Sequence, residues 1–290
     1  MKKILLTFLF LISACNGGVT NKEVITSTPP STSFTPVETQ KESTPILPTQ
    51  TLISNPVWIP QGPNEVVVPI LLYHHIAESS THSQYYIEPK DFEEQMQLLN
   101  RWGYTTITTT MLAEAIHEGL ALPPRPIIIT FDDSNLDNYN IAFPIMQKYG
   151  FTGVLYVVGR YLGAENFINA QQAKEMANAG WEIGSHSMNH VDLSTITSDE
   201  RWYEIHGSRE FLEQEIGVPV LTFAYPFGVY DCGIMDATYN AGYLTGMGLG
   251  NSNDQCTYDL FALHRHAIKL EDDLEAFSLF LPWQGELQSP

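Results

Sequence analysis

The chain has little of three things. Cysteine occurs three times in 290 residues, at positions 15, 232 and 256, too few for a scaffold stapled by several disulfides. At most Cys232 and Cys256 could bridge, and their sequence separation leaves that open. Positive charge is scarce as well: 14 Lys and Arg face 33 Asp and Glu, for a formal charge of −19. That balance argues against a nucleic-acid partner held by phosphate contacts, whereas a neutral glycan needs no charge steering. The leading apolar run, Ile4 to Ile12, is shorter than the roughly 20 residues that a spanning helix requires. From Asn16 to about Asn64 large apolar side chains are sparse, so that stretch cannot bury enough surface to fold.

What the amino terminus does contain is the pattern of an export signal. Lys2 and Lys3 precede the short apolar run, and small residues precede Cys15. The ending ISAC resembles a bacterial lipobox, which implies that residues 1–15 are a lipoprotein signal segment whose Cys15 is lipidated and becomes the new terminus. Acyl chains there would anchor the protein to the membrane without a spanning helix, at the bacterial cell envelope and facing outside the cytoplasm. Residues 16–64, with runs such as TSTPPSTSFTPVETQKESTPILPTQ, read as a disordered tether partly stiffened by proline. Residues 65–290 then form one domain, expected to act as a monomer.

Within that domain, strand-like apolar runs alternate with helical patterns about seven times. VVVPILLYHHI is followed by a helix with Phe92, Met96 and Leu99 on one face, closed by Gly103. PIIITF, TGVLYVV, WEIGSH and PVLTFAYP are further strands, with helices at about 138–149, 198–216 and 231–242 among those between them. Such alternation implies an α/β domain around a parallel sheet. It fits a barrel or a doubly wound sheet equally well; in both, chemistry gathers at the carboxyl ends of the strands.

Those ends carry polar groups: His74 and His75, Asp132 and Asp133, His186 and His190, AYPFG, and Arg265 with His266. HSMNH places two imidazoles four residues apart, able to face one point from a helical turn or a tight loop. Joined to one aspartate they make a ligand set of two imidazoles and a carboxylate, with an open coordination position. The second aspartate then has a separate task, taking a proton from an attacking water. Adjacent residues of an extended segment point to opposite sides, which would let the two carboxylates part company.

TFDDS, HSMNH and AYPFG, in this order, resemble the first three motifs of the polysaccharide deacetylase superfamily (carbohydrate esterase family 4). VPILLYHHI followed by IEPKDFEEQMQLLNRWGYTTIT is similar to its exported poly-N-acetylglucosamine deacetylase branch. The resemblance covers residues 66–270 and implies a distorted (β/α)7-type barrel. It also implies removal of acetyl groups from a β-linked N-acetylglucosamine polymer with one divalent metal, zinc first, with nickel, cobalt or manganese as alternatives. By it, Asp132 is the general base; Asp133, His186 and His190 are the metal ligands; and the Phe227 backbone N–H holds the oxyanion. Tyr225 and Phe227 would wall the substrate groove.

The sequence also departs from the family. Ala224 stands where many members carry an arginine that orients the base, and Arg265 is the candidate replacement. The acid is expected from a Leu-x-His motif on the last strand, where LHRHAI offers His264 and His266. Strict alternation puts both histidines on the face opposite Arg265, so His74 ranks above His266 as acid or substrate contact. Ser134 replaces the usual glycine after the aspartate pair. Two other readings of the same residues remain, an O-acetyl esterase of the xylan type and a non-catalytic glycan-binding lipoprotein. Substrate choice would depend on loops such as AESSTHSQYYIE.

Overall fold

The computed structural model describes residues 57–78 and 82–287. The signal segment and Cys15 lie outside the described residues. So does the tether expectation, except at its end, where it fails. Ile59–Gln61 is a strand paired antiparallel with Leu120–Leu122, and the Asn64 N–H donates to the Ile116 carbonyl at 2.7 Å. Residues 57–64 therefore belong to the folded domain. Their few apolar side chains hid this, because the segment is held by backbone pairing rather than by burial.

Seven parallel strands form the frame: β1 (Ile70–Tyr73), β2 (Pro126–Phe131), β3 (Val154–Val157), β4 (Glu182–Ser185), β5 (Thr222–Ala224), β6 (Thr245–Met247) and β7 (His266–Ala267). They lie in the order β6-β5-β4-β3-β2-β1-β7, and the two-residue strand Thr105–Thr106 pairs with the start of β2. The sheet curls until its ends meet: Met247 bridges to Leu263, and the Gly248 and Gly250 amides donate to the Leu263 and Arg265 carbonyls. The distorted barrel expected from the resemblance is the fold observed.

Strand periodicity decides what faces inward. On β2, Ile127, Ile129 and Phe131 pack outward in one cluster with Phe92, Met96, Met146 and Met176. Ile128 packs in a second cluster with Ile70, Val154, Tyr156, Met247 and Leu263. Every residue of β2 is buried, as expected for a parallel strand covered on both sides, and each isoleucine contributes about 1.5–3 kcal/mol by its burial. Thr130 and Asp132 continue the inward series, so the run that fills the barrel also delivers a carboxylate to its rim.

The helices cover the outside: α1 (Pro89–Arg101), α2 (Thr109–Glu118), α3 (Phe143–Lys148), α4 (Ala170–Asn178), α5 (Ser198–Trp202), α6 (Ser208–Ile216), α7 (Cys232–Asn240) and α8 (Leu274–Ser278). Two single π-helical turns interrupt them, Asn138–Ala142 before α3 and Tyr203–Gly207 between α5 and α6. The long helix read at 198–216 is thus continuous in direction but widened in the middle. At the amino end of the barrel, the Glu182 carboxylate accepts from the backbone N–H and hydroxyl groups of both Thr109 and Thr110, fastening the start of α2 to the start of β4. Cys232 and Cys256 are not bridged; Cys232 is exposed, and Cys256 Sγ contacts Asp259 Oδ2 at 2.9 Å. No helix among the described residues is long and apolar enough to cross a membrane.

Candidate active site

At the end of β2 the backbone changes hand. Asp132 is nearly fully buried, at 3% exposure, and its N–H donates to the Tyr73 carbonyl. Asp133 and Ser134 then adopt left-handed φ values of 71° and 59°. The two carboxylates part because the chain turns left-handed, not because it stays extended. Glycine is the residue that accepts such a turn without steric cost. Ser134 accepts it while buried; its hydroxyl donates to the Asp133 carbonyl and its own carbonyl accepts from Ile168 N.

Asp132 is held from the start of the last strand. Arg265 Nη1 and Nη2 donate to its two oxygens at 2.8 and 2.9 Å, a bidentate pair 133 residues apart in sequence. Arg265 Nε donates to the Gly248 carbonyl, Nη1 also reaches Thr130 Oγ1, and the guanidinium lies over the Tyr156 ring. This planar fork in a buried site is what arginine provides and lysine does not. Burial alone would raise the Asp132 carboxyl, but the charge of Arg265, aided by His186, outweighs it and brings it down to about 2. Ala224, in the position where the family often has arginine, is buried on β5 and contributes its carbonyl instead, accepting from His186 Nδ1 at 2.8 Å.

That bond leaves His186 Nε2 as the ring's lone-pair nitrogen, directed at the aspartates. It lies 3.6 Å from Asp133 Oδ1, and His190 Nε2 lies 3.3 Å from the same oxygen. Ligands about 2.1 Å from a tetrahedral ion sit roughly 3.4 Å from one another, so the three residues fit one divalent metal. Asp133 Oδ1 is buried without a hydrogen-bond partner, an expensive condition that a cation would relieve. Asp133, His186 and His190 are the metal-type cluster among the described residues. HSMNH is a tight loop rather than a helical turn, with Ser187 and His190 left-handed and Ser187 Oγ accepting from His190 N at 2.9 Å.

A pocket of about 320 Å³ opens over these groups. His74 lines it, tilted against Tyr85 at 4.9 Å. Burial lowers the His74 imidazole, a shift that Asp132 and Asp133 partly offset. Phe227, left-handed and 60% exposed, sets its ring edge-on to His190 at 4.7 Å. Two expectations are corrected. His266 is absent from the pocket; it projects to the other face of β7, where Nε2 pairs with Asn253 Oδ1 and the ring lies by Phe280. Alternation admits only one of Arg265 and His266, and Arg265 has the inward place, so His266 is no acid for this site. Tyr225 borders the pocket but is fully buried, its hydroxyl donating to the Phe261 carbonyl, and it has no open face for a sugar.

Sequence reasoning passed over the opposite wall. His75 pairs through Nδ1 with Asp137 at 2.7 Å and stacks on Tyr86 at 4.1 Å. Tyr85 and Tyr86 come from the loop flagged for substrate choice, and Leu249 completes the rim. Asp137 carried no motif; only its place five residues after Asp132 hinted that it would reach the same rim.

The sequence pattern of the polysaccharide deacetylase family matches residues 120–246, the segment that holds the aspartates, both imidazoles and AYPFG. Over that segment the chain carries the pattern of a polysaccharide deacetylase. YxkH of Bacillus subtilis, which carries the name of a polysaccharide deacetylase, is 27% identical over 214 residues, 74% of this chain and 76% of its own. The poly-β-1,6-N-acetyl-D-glucosamine N-deacetylase of Staphylococcus aureus is 24% identical over 201 residues, 62% and 69% of the two chains. Among solved structures, the Streptococcus pyogenes deacetylase PplD, in complex with acetate, superposes with a TM-score of 0.69 at 25% identity, covering 74% of this chain and 98% of its own. That family is generally metal-dependent, and Asp133, His186 and His190 of this chain form a donor set of the chemistry and spacing that one divalent metal needs.

Proposed function

We propose that this family member is a metal-dependent N-deacetylase acting on a β-linked N-acetylglucosamine polymer outside the cytoplasm. The observation that carries the reading is one buried carboxylate locked by a bidentate arginine, beside a second that shares an empty-handed oxygen with two imidazoles. Those are two carboxylates in two different electrostatic settings, as a hydrolysis with separate base and ligand requires.

A dication bound by Asp133, His186 and His190, zinc by preference for such a nitrogen and oxygen set, would supply Lewis acidity to the acetyl carbonyl and to the attacking water. The chain's own residues do the rest. Asp132 takes the proton from water, with Arg265 fixing the plane of its carboxylate. The backbone N–H of Phe227 steadies the developing oxyanion. His74, across the pocket, gives a proton to the departing amine. Phe227, Tyr85 and Leu249 offer exposed apolar surface on which a sugar ring can lie. The similarity to a poly-N-acetylglucosamine N-deacetylase supports the amide substrate. The amino-terminal pattern ending in Cys15 supports an exported, lipid-anchored protein on a Thr/Ser/Pro-rich tether.

The test is acetate release from a panel of purified N-acetylated and O-acetylated glycans, after metal removal and add-back. Activity on the N-acetylated polymer should vanish with chelator and return with metal. Asp132→Asn should lower kcat by roughly 10²–10⁴-fold while leaving metal binding intact. A wild-type rate for Asp132→Asn would overturn the mechanism, and preference for an acetylated xylan would reassign the substrate.

A further inference from the structure

The loop that carries both imidazoles is strained, and the structure shows what holds it. Ser187 and His190 both sit at left-handed φ, 66° and 57°, a conformation that side chains other than glycine adopt only where their surroundings enforce it. Some of that enforcement comes from the neighbouring strand end: Gly159 N and Arg160 N donate to the Ser187 and Met188 carbonyls. Ser187 Oγ, accepting from His190 N, adds to it, and a further part comes from one residue of the widened helical turn, Glu204.

Glu204 is buried, at 5% exposure. Its Oε2 accepts from Asn189 N at 2.8 Å and its Oε1 from Asn189 Nδ2 at 2.6 Å. Its main-chain carbonyl accepts from Met188 N at 3.1 Å. In an unbroken α-helix that carbonyl would accept from the residue four ahead. The π turn Tyr203–Gly207 releases it, and the next carbonyl, Ile205 O, is satisfied by the Ser208 and Tyr243 hydroxyls. The widened turn therefore has a product: one residue grips the middle of HSMNH by three hydrogen bonds, on two successive residues flanked by the strained Ser187 and His190. A carboxylate in so dry a place is costly unless it is bonded in this way.

We infer that Glu204 is a positioning residue for the metal site, setting the separation of His186 and His190 through Asn189. This rests on the reading of Asp133, His186 and His190 as metal ligands. Glu204 touches neither the ligand atoms nor the pocket; it acts through the loop. Partners that orient a ligand from behind commonly affect metal affinity by 10–100-fold.

The pair is polar in one sense, acceptor on 204 and donor on 189, and that sense can be reversed. Asn189→Asp sets two carboxylates face to face. Adding Glu204→Gln restores a complementary pair with the same net charge: the Gln oxygen accepts from the 189 backbone N–H while its NH2 donates to the new aspartate. The experiment measures zinc affinity of the metal-stripped full chain by chelator competition, alongside the apo melting temperature and kcat. Glu204→Ala and Asn189→Asp should each weaken zinc binding by roughly 10–100-fold, and Glu204→Gln in the Asn189→Asp background should recover most of the loss. Zinc affinity unchanged in Glu204→Ala and Asn189→Asp, whatever their melting temperatures, would overturn the inference. So would a double variant no better than Asn189→Asp. Asp133→Ala serves as the separate control: if it binds zinc as tightly as the wild type, the ligand assignment fails rather than the role of Glu204.

Discussion

The two ends of the barrel handle buried charge in opposite ways. At the amino end, Glu182 accepts four hydrogen bonds from Thr109 and Thr110, two of them from backbone amides at the start of α2. A helix start is where a carboxylate is welcome, and the left-handed positions that lead into the strands there, Gly103, Gly150 and Gly180, are glycines. At the carboxyl end, Asp132 needs a guanidinium brought from the last strand, Asp133 has an oxygen with no donor, and the chain bends left-handed at Asp133, Ser134, Ser187, His190 and Phe227. One end spends its polar groups on joining elements. The other holds them ready for something outside the chain, and strain collects there because the surroundings enforce a geometry that the local sequence does not prefer.

Breaking the contrast should be hardest on the carboxyl end. Arg265→Met leaves Asp132 buried and unpaired, and urea denaturation should show a loss of about 3–5 kcal/mol. A fall well below that range would mean the barrel rim admits enough water to solvate the carboxylate. Glu182→Ala strips donors at the amino end of their acceptor and should cost about 1–3 kcal/mol in the same measurement, yet leave kcat/KM unchanged. Loss of turnover there would show that the two ends are coupled. Ser134→Gly is the mildest: removing a side chain from a left-handed position should raise stability by up to about 1 kcal/mol. A net loss would show that the site uses the Ser134 hydroxyl more than it suffers from the backbone.

Much of this was legible from residue order. Alternation along PIIITF places Asp132 on the inward face, and the spacing in HSMNH gathers two imidazoles. The absence of arginine at Ala224 directed attention to Arg265, and alternation already said that Arg265 and His266 could not both face the site. Other features were hidden for physical reasons. Hydrophobic periodicity registers which face of a helix is buried, but a single π turn shifts that face by one residue without leaving a motif, so nothing in the residue order singled out Glu204. Asp137 carried no motif, since its partner His75 lies 62 residues away. Residues 57–64 read as tether because backbone pairing with Leu120–Leu122 needs no apolar pattern. Tyr225 read as groove wall because an aromatic in a motif gives no hint of whether its hydroxyl will be anchored inside.

The span of the Asp132–Arg265 pair carries a consequence for assembly. Strand β2 is made early and can pair with its neighbours at once, but its terminal carboxylate has no cation until residue 265 has been synthesised and has crossed to the far side of the sheet. Until that latch falls, nothing fixes the plane of the Asp132 carboxylate, since both of its oxygens take their strongest hydrogen bonds from Arg265. Under the proposed mechanism, readiness of the site and closure of the ring are thus a single event, because Asp132 gains its cation only when the last strand is in place.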